Sequence, residues 1–122
     1  MAGPDPREQF QREYPARRFA EMASAFERVA STISERKPQT QIMQVLRDAQ
    51  SLCEAVASDV GSDVETTALL VNLRTAVETW RTVWPKLSKD PESGPSFRSA
   101  VVRECGLWSR RLHSLAKTTT LS

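Results

Sequence analysis

Residues 96–117 read SFRSAVVRECGLWSRRLHSLAK. Phe97, Val101, Cys105, Trp108, Leu112 and Leu115 recur there at steps of three and four, which places them on one face of a helix. Arg103, Arg110 and Lys117 recur at steps of seven and form a second stripe, well away from the first. The segment holds five basic residues, Arg98, Arg103, Arg110, Arg111 and Lys117, against one acid, Glu104. Its net charge of +4 exceeds the +2 of the whole chain, so the remainder is net acidic. A single amphipathic helix thus carries both a heavy apolar anchor and the densest positive charge.

Three further segments share this period. Phe19, Met22, Ala23, Phe26, Val29, Ala30 and Ile33 predict a helix from about Pro15 to Arg36, ended by Pro38. Ile42, Val45, Leu46, Ala49, Leu52, Cys53, Val56 and Val60 predict a second, capped at Thr40 and acidic outside through Asp48, Glu54 and Asp59. Leu69, Leu70, Leu73, Ala76, Val77, Trp80, Val83 and Trp84 predict a third, from Asp63 to Trp84. Gly61 is its expected upstream stop, Ser62 and Glu65 its capping box, and Pro85 its end. Arg74, Glu78 and Arg81 stand beside that stripe and can form intrahelical ion pairs. Lys86 to Pro95, rich in proline, serine and charge, reads as a linker.

The first residues read differently. Asp5-Pro6-Arg7-Glu8 resembles a capped helix start, and Phe10 and Tyr14 fall on one side of a short helix. A residue before proline disfavours the helical region, so a break is expected at Pro15. No alternating strand pattern and no Asn-Gly or Asp-Gly hairpin signal occurs. The expected fold is therefore all-α: an antiparallel four-helix bundle over residues 15–117, with a short extra N-terminal helix or arm over 1–14 and a frayed tail over 118–122. An orthogonal all-α packing fits the same periodicity.

At 122 residues the chain is long enough to bury a core without a metal or disulfide. Apolar content of 39% and charged content of 26% fit a globular rather than a disordered chain. No apolar run approaches the roughly 20 residues of a membrane span, and MAGPDPREQF has no apolar signal core, so a cytoplasmic protein without membrane contact is expected. Cys53 and Cys105 each fall on an apolar face and read as buried free thiols. The chemistry of most enzymes is missing. There is one histidine, His113, no metal-ligand spacing, and four glycines scattered at 3, 61, 94 and 106 rather than gathered in a phosphate loop. Neither catalysis nor a cofactor is expected. His113, with Lys117 four residues on, resembles the exposed histidine near a lysine of histidine phosphotransfer domains, which are also four-helix bundles. The helix context usual after that histidine is missing, and a plain surface histidine explains it.

What remains is surface. Leu107 lies opposite the core face of its helix, between Arg103 and Arg111, and Val64 and Val71 are similarly off-pattern. An apolar residue among arginines fits the centre of an interface. The expected function is a non-enzymatic protein–protein interaction module: an assembly factor, adaptor or structural subunit of a larger complex, with a protein partner or self-association. Candidate partner-binding residues are Arg103, Leu107, Arg110, Arg111, Lys117, Phe10 and Tyr14. The alternative is a nucleic-acid-associated helical subunit that uses the basic stripe on phosphates. Phe26, Trp80 and Trp108 are expected in the core. Truncating any one to Ala should cost about 3–5 kcal/mol of stability, measured by thermal denaturation.

Overall fold

A computed structural model of the chain describes the backbone of residues 6–60 and 64–121, and the side chains of residues 15–58 and 64–118. Among the described residues there are four α-helices and no strand: α1 (Pro6–Ser34), α2 (Gln39–Val60), α3 (Val64–Leu87) and α4 (Gly94–Leu121). None of these helices is long and apolar enough to cross a membrane.

All four contribute to one core. Phe19, Met22, Phe26 and Val29 of α1 are buried with Leu46 and Val56 of α2, Leu70, Leu73 and Trp84 of α3, and Val101, Cys105 and Leu112 of α4. The periodic faces read from the sequence are the faces that pack. Phe26 meets Trp80 edge-on, with ring centroids 6.4 Å apart and planes at 84°, a favoured aromatic geometry. Both cysteines are buried and free, and burial pushes each thiol up to about 12, so neither is a reactive thiolate near neutral pH. The closest pairing is between α1 and α4, whereas α3 and α4 touch only sparsely. Small or short side chains recur at steps of seven on both close partners, at Ala16, Ala23 and Ala30 and at Val102, Ser109 and Ala116. Helix axes approach as near as such side chains allow.

Two prolines act differently from the sequence expectation. α1 runs through Pro15, so no separate N-terminal helix precedes that residue in the described backbone. Proline's own fixed φ is helical, and what it forfeits is one amide donor and the fit to the preceding turn, a cost of about 3 kcal/mol rather than a prohibition. α3 likewise continues past Pro85 to Leu87. The turn after Pro85 is closed by Ser88, whose backbone N–H and hydroxyl both donate to the Trp84 carbonyl. The linker therefore shrinks to residues 88–93, and α4 begins at Gly94. The expected stop at Gly61 and cap at Ser62 lie outside the described residues. Trp108 is half-buried rather than fully so, with the Arg111 guanidinium 5.9 Å from its ring centre. Its truncation is accordingly expected to cost less than that of Phe26 or Trp80.

The α1–α2 turn is a Schellman closure. The Arg36 N–H donates to the Ile33 carbonyl at 3.0 Å and the Lys37 N–H to the Thr32 carbonyl at 3.2 Å. Arg36 occupies the left-handed position of that motif, with φ of 55°. Glycine is the usual occupant, because a side chain there costs roughly 1–2 kcal/mol. The next helix starts from the Pro38 carbonyl, which accepts from the N–H groups of Gln41 and Ile42, so Thr40 is inside the first turn rather than capping it.

At the α3–α4 corner the Asp90 carboxylate accepts from the N–H groups of Glu92 and Ser93, and the Asp90 carbonyl accepts from Gly94. The Trp84 and Phe97 rings pack at 5.4 Å across the corner. Gly94 is buried where the chain passes itself: a Cβ there would stand 2.9 Å from the Ser88 carbonyl oxygen. Backbone on both sides leaves no flexible end to give way. Gly94→Ala is expected to lower stability by about 1–3 kcal/mol, read as an earlier midpoint in denaturant with an unchanged slope. An unaltered midpoint would mean that the two segments have room to separate.

Candidate functional site

The outer face of α4 is built by the same wheel that buries its inner face. With Val101, Cys105 and Leu112 inward, Arg103, Leu107, Arg110, Arg111 and Lys117 are all exposed. Leu107 keeps 55% of its surface in water, beside arginines one turn away on either side. Val64, at 85%, Val71, at 43%, and Leu87, at 36%, are the corresponding exposed apolar residues of α3. Phe10 and Tyr14 lie in the backbone of α1, but their side chains are outside the described residues.

The charged residues of α4 do not form one uniform stripe. Arg111 leans over Trp108 and lines a small recess of about 210 Å³ with Glu65, Thr66 and Leu69 of α3. Arg103 lines a larger cavity of about 680 Å³ at the other end of α4. Arg36, Lys89 and Arg98 line that cavity too, and none of the three is among the candidate partner-binding residues. They come from the α1–α2 turn, the α3–α4 loop and the first turns of α4. A periodic reading of any one helix has no way to bring them together. The positive φ at Arg36 is likewise a backbone property with no sequence signature.

A second polar cluster joins α1 to α4. The Ser109 hydroxyl, almost wholly buried, donates to Glu27 Oε1 at 2.6 Å, and His113 Nε2 lies 2.9 Å from the same oxygen. Serine, histidine and a carboxylate together invite comparison with a hydrolase triad. The wiring is different. The serine proton goes to the carboxylate and not to the imidazole, so the imidazole is not placed to generate an alkoxide. The cluster is a clasp between helices. His113 is therefore held by Glu27, where the phosphotransfer resemblance looks to Lys117. Arg81 also reaches another helix, donating to Gln50 Oε1 of α2 at 3.0 Å rather than pairing along its own helix. Among the described residues no group of three or more histidines, cysteines or acids could hold a metal ion.

No protein-family model, curated protein or solved structure matches the chain.

The clasp titrates. The Ser109 hydroxyl, then the His113 ring, hold the Glu27 carboxyl below its ordinary value of 4.5, against a smaller opposing effect of burial. A carboxyl lowered in the folded state adds stability above its unfolded value, and that stability is lost as pH falls through the folded value. Glu27 is 54% exposed, so solvent screens the effect. Glu27→Gln keeps an acceptor and removes the charge. It should melt below the parent at pH 7 by no more than about 1 kcal/mol, and the gap should close as pH falls well below 4.5. A gap that persists undiminished well below 4.5 would contradict the clasp.

Proposed function

We propose that the protein is a non-enzymatic interaction module: a subunit or adaptor that offers the outer face of α4 to a protein partner, with self-association among the forms this takes. The carrying observation is Leu107, more than half exposed and flanked by the exposed Arg103, Arg110 and Arg111. Interface centres favour an apolar residue with arginine nearby, and arginine brings both charge and a flat stacking surface. In this proposal the four helices run as an antiparallel bundle, which leaves the outer face of α4 continuous. Supporting contacts run in opposite order along the two helices: Glu27 meets Ser109 and His113, while Ile33 and Ser34 share a cavity with Pro95 and Arg98. A cytoplasmic setting belongs to the same proposal and is consistent with two unpaired thiols.

A second function is favoured by the exposure of Arg103, Arg110 and Lys117, which suits contact with nucleic-acid phosphates. Stacking aromatics are absent from that face, since Phe97 and Trp108 are both partly buried toward the core.

The test is sedimentation velocity on the purified chain across a concentration series, together with affinity capture from source-organism lysate with and without nuclease. Leu107→Glu should abolish self-association or nuclease-resistant capture of a protein, whereas Val71→Glu should leave it intact. A strict monomer that retains no protein would overturn the proposal. Capture lost on nuclease treatment, and on reversing Arg103 and Arg110 to Glu, would replace it with the nucleic-acid function.

A further inference from the structure

The cavity that Arg103 shares with Arg36, Lys89 and Arg98 adjoins the Leu107 face, and Arg103 borders both. Four cationic side chains from three segments line it against one acid, Asp90. That acid is already engaged, since its carboxylate accepts from the Glu92 and Ser93 N–H groups. Like charges gathered around one concavity repel one another, and the single Asp90 charge offsets only one of the four.

Two of the four are held in ways that packing alone does not require. Arg98 is pre-positioned: it donates to the Ser88 carbonyl at 3.1 Å and lies 5.9 Å from the centre of the Trp84 ring. Ser88 is in turn fixed by its bonds to Trp84. A guanidinium has five N–H donors, so one bond to Ser88 leaves a fork for an anion. Arg36 is the second case. It is the one non-glycine residue among the described residues with positive φ, at a position that glycine would fill without strain. A strained residue at the rim of a charged cavity is a pointer to function.

We propose that this cavity binds a small phosphate-bearing ligand of about nucleotide size. Arg36, Lys89, Arg98 and Arg103 hold its phosphate, and the Ile33, Pro95 and Val102 side of the lining takes its organic part. Arginine is suited to phosphate because its fork matches two oxygens at once. At about 680 Å³ the cavity falls within the range of small-molecule sites, roughly 300–1,000 Å³, and exceeds what a bare phosphate needs. A small ligand is favoured over a nucleic-acid strand because the cations surround a concavity at one end of the fold. Arg110 and Lys117, which a strand would also follow, lie one and two heptads further along α4.

The experiment is isothermal titration of the full chain at low ionic strength with inorganic pyrophosphate, with adenosine mono- and diphosphate, and with a single-stranded oligonucleotide. Arg36→Gly is the deciding variant, because removing a side chain from a left-handed position relieves the backbone. It should melt at or above the parent temperature and bind adenosine diphosphate about 10–100-fold more weakly, as loss of one charged hydrogen-bonding group implies. Lys89→Glu, on the exposed loop, should weaken binding further with no change in melting. Leu107→Ser, which removes the apolar contact without placing a charge beside Arg103, should bind as the parent does, which distinguishes this site from the partner face. The proposal is overturned if pyrophosphate and the nucleotides give no saturable heat, or if Arg36→Gly binds as tightly as the parent. It is equally overturned if only the oligonucleotide binds and that binding follows Arg110→Glu instead.

Discussion

The close packing of the first helix on the last is the constraint from which the rest follows. α1 and α4 share the most extensive contact of any helix pair, and short side chains recur on both, at 16, 23 and 30 and at 102, 109 and 116. Close approach brings Glu27 to the buried Ser109 hydroxyl, so a polar group that is costly to bury alone has its partner. It also fixes which side of α4 is used up. With one flank committed to α1 and the next to the core, Leu107 and Arg110 are left exposed, while Arg103 and Arg111 border the recesses at either end of that face.

The fourth side of the molecule is held differently. α3 and α4 make few contacts along their length, and their junction depends on the corner where Trp84, Phe97, Ser88 and Gly94 meet. One carbonyl does two things there. The Ser88 oxygen stands so near residue 94 that only glycine fits, and it also receives the Arg98 guanidinium. The tightness of the turn and the orientation of a cavity-lining cation therefore share one cause. Steric exclusion at Gly94 and electrostatics at Arg98 are two readings of the same backbone position.

Periodicity made the helix faces legible. The burial of Val101, Cys105 and Leu112 and the exposure of Leu107, Val64 and Val71 all follow from counting threes and fours. Local rules overreached at Pro15 and Pro85, where each was read as a boundary and each lies inside a helix. Those rules describe a preference worth a few kcal/mol, and at Pro85 the burial of Trp84 and Ser88 on either side works against it. The polar sites were hidden for another reason. Glu27 and His113 stand 86 positions apart, and Arg36 and Arg98 line one cavity although they belong to different segments of the chain. Single-helix patterns specify which face is inward, not which two faces meet, and charged residues carry no period that would betray a shared cavity.

That the first and last helices are the most intimate partners also bears on how the molecule is made. Contacts between segments far apart in sequence form slowly, because loop-closure entropy must be overcome before they stabilise the fold. During synthesis, the apolar face of α1 from Phe19 to Ile33 emerges some sixty residues ahead of the α4 surface that covers it. At about 5–20 residues per second, that interval lasts roughly 3–12 seconds. Through it the nascent chain presents a long, unshielded hydrophobic stripe, for which α2 supplies only partial cover. The core is thus closed by the last of the four helices to be made, and until then the apolar face of α1 is only partly covered.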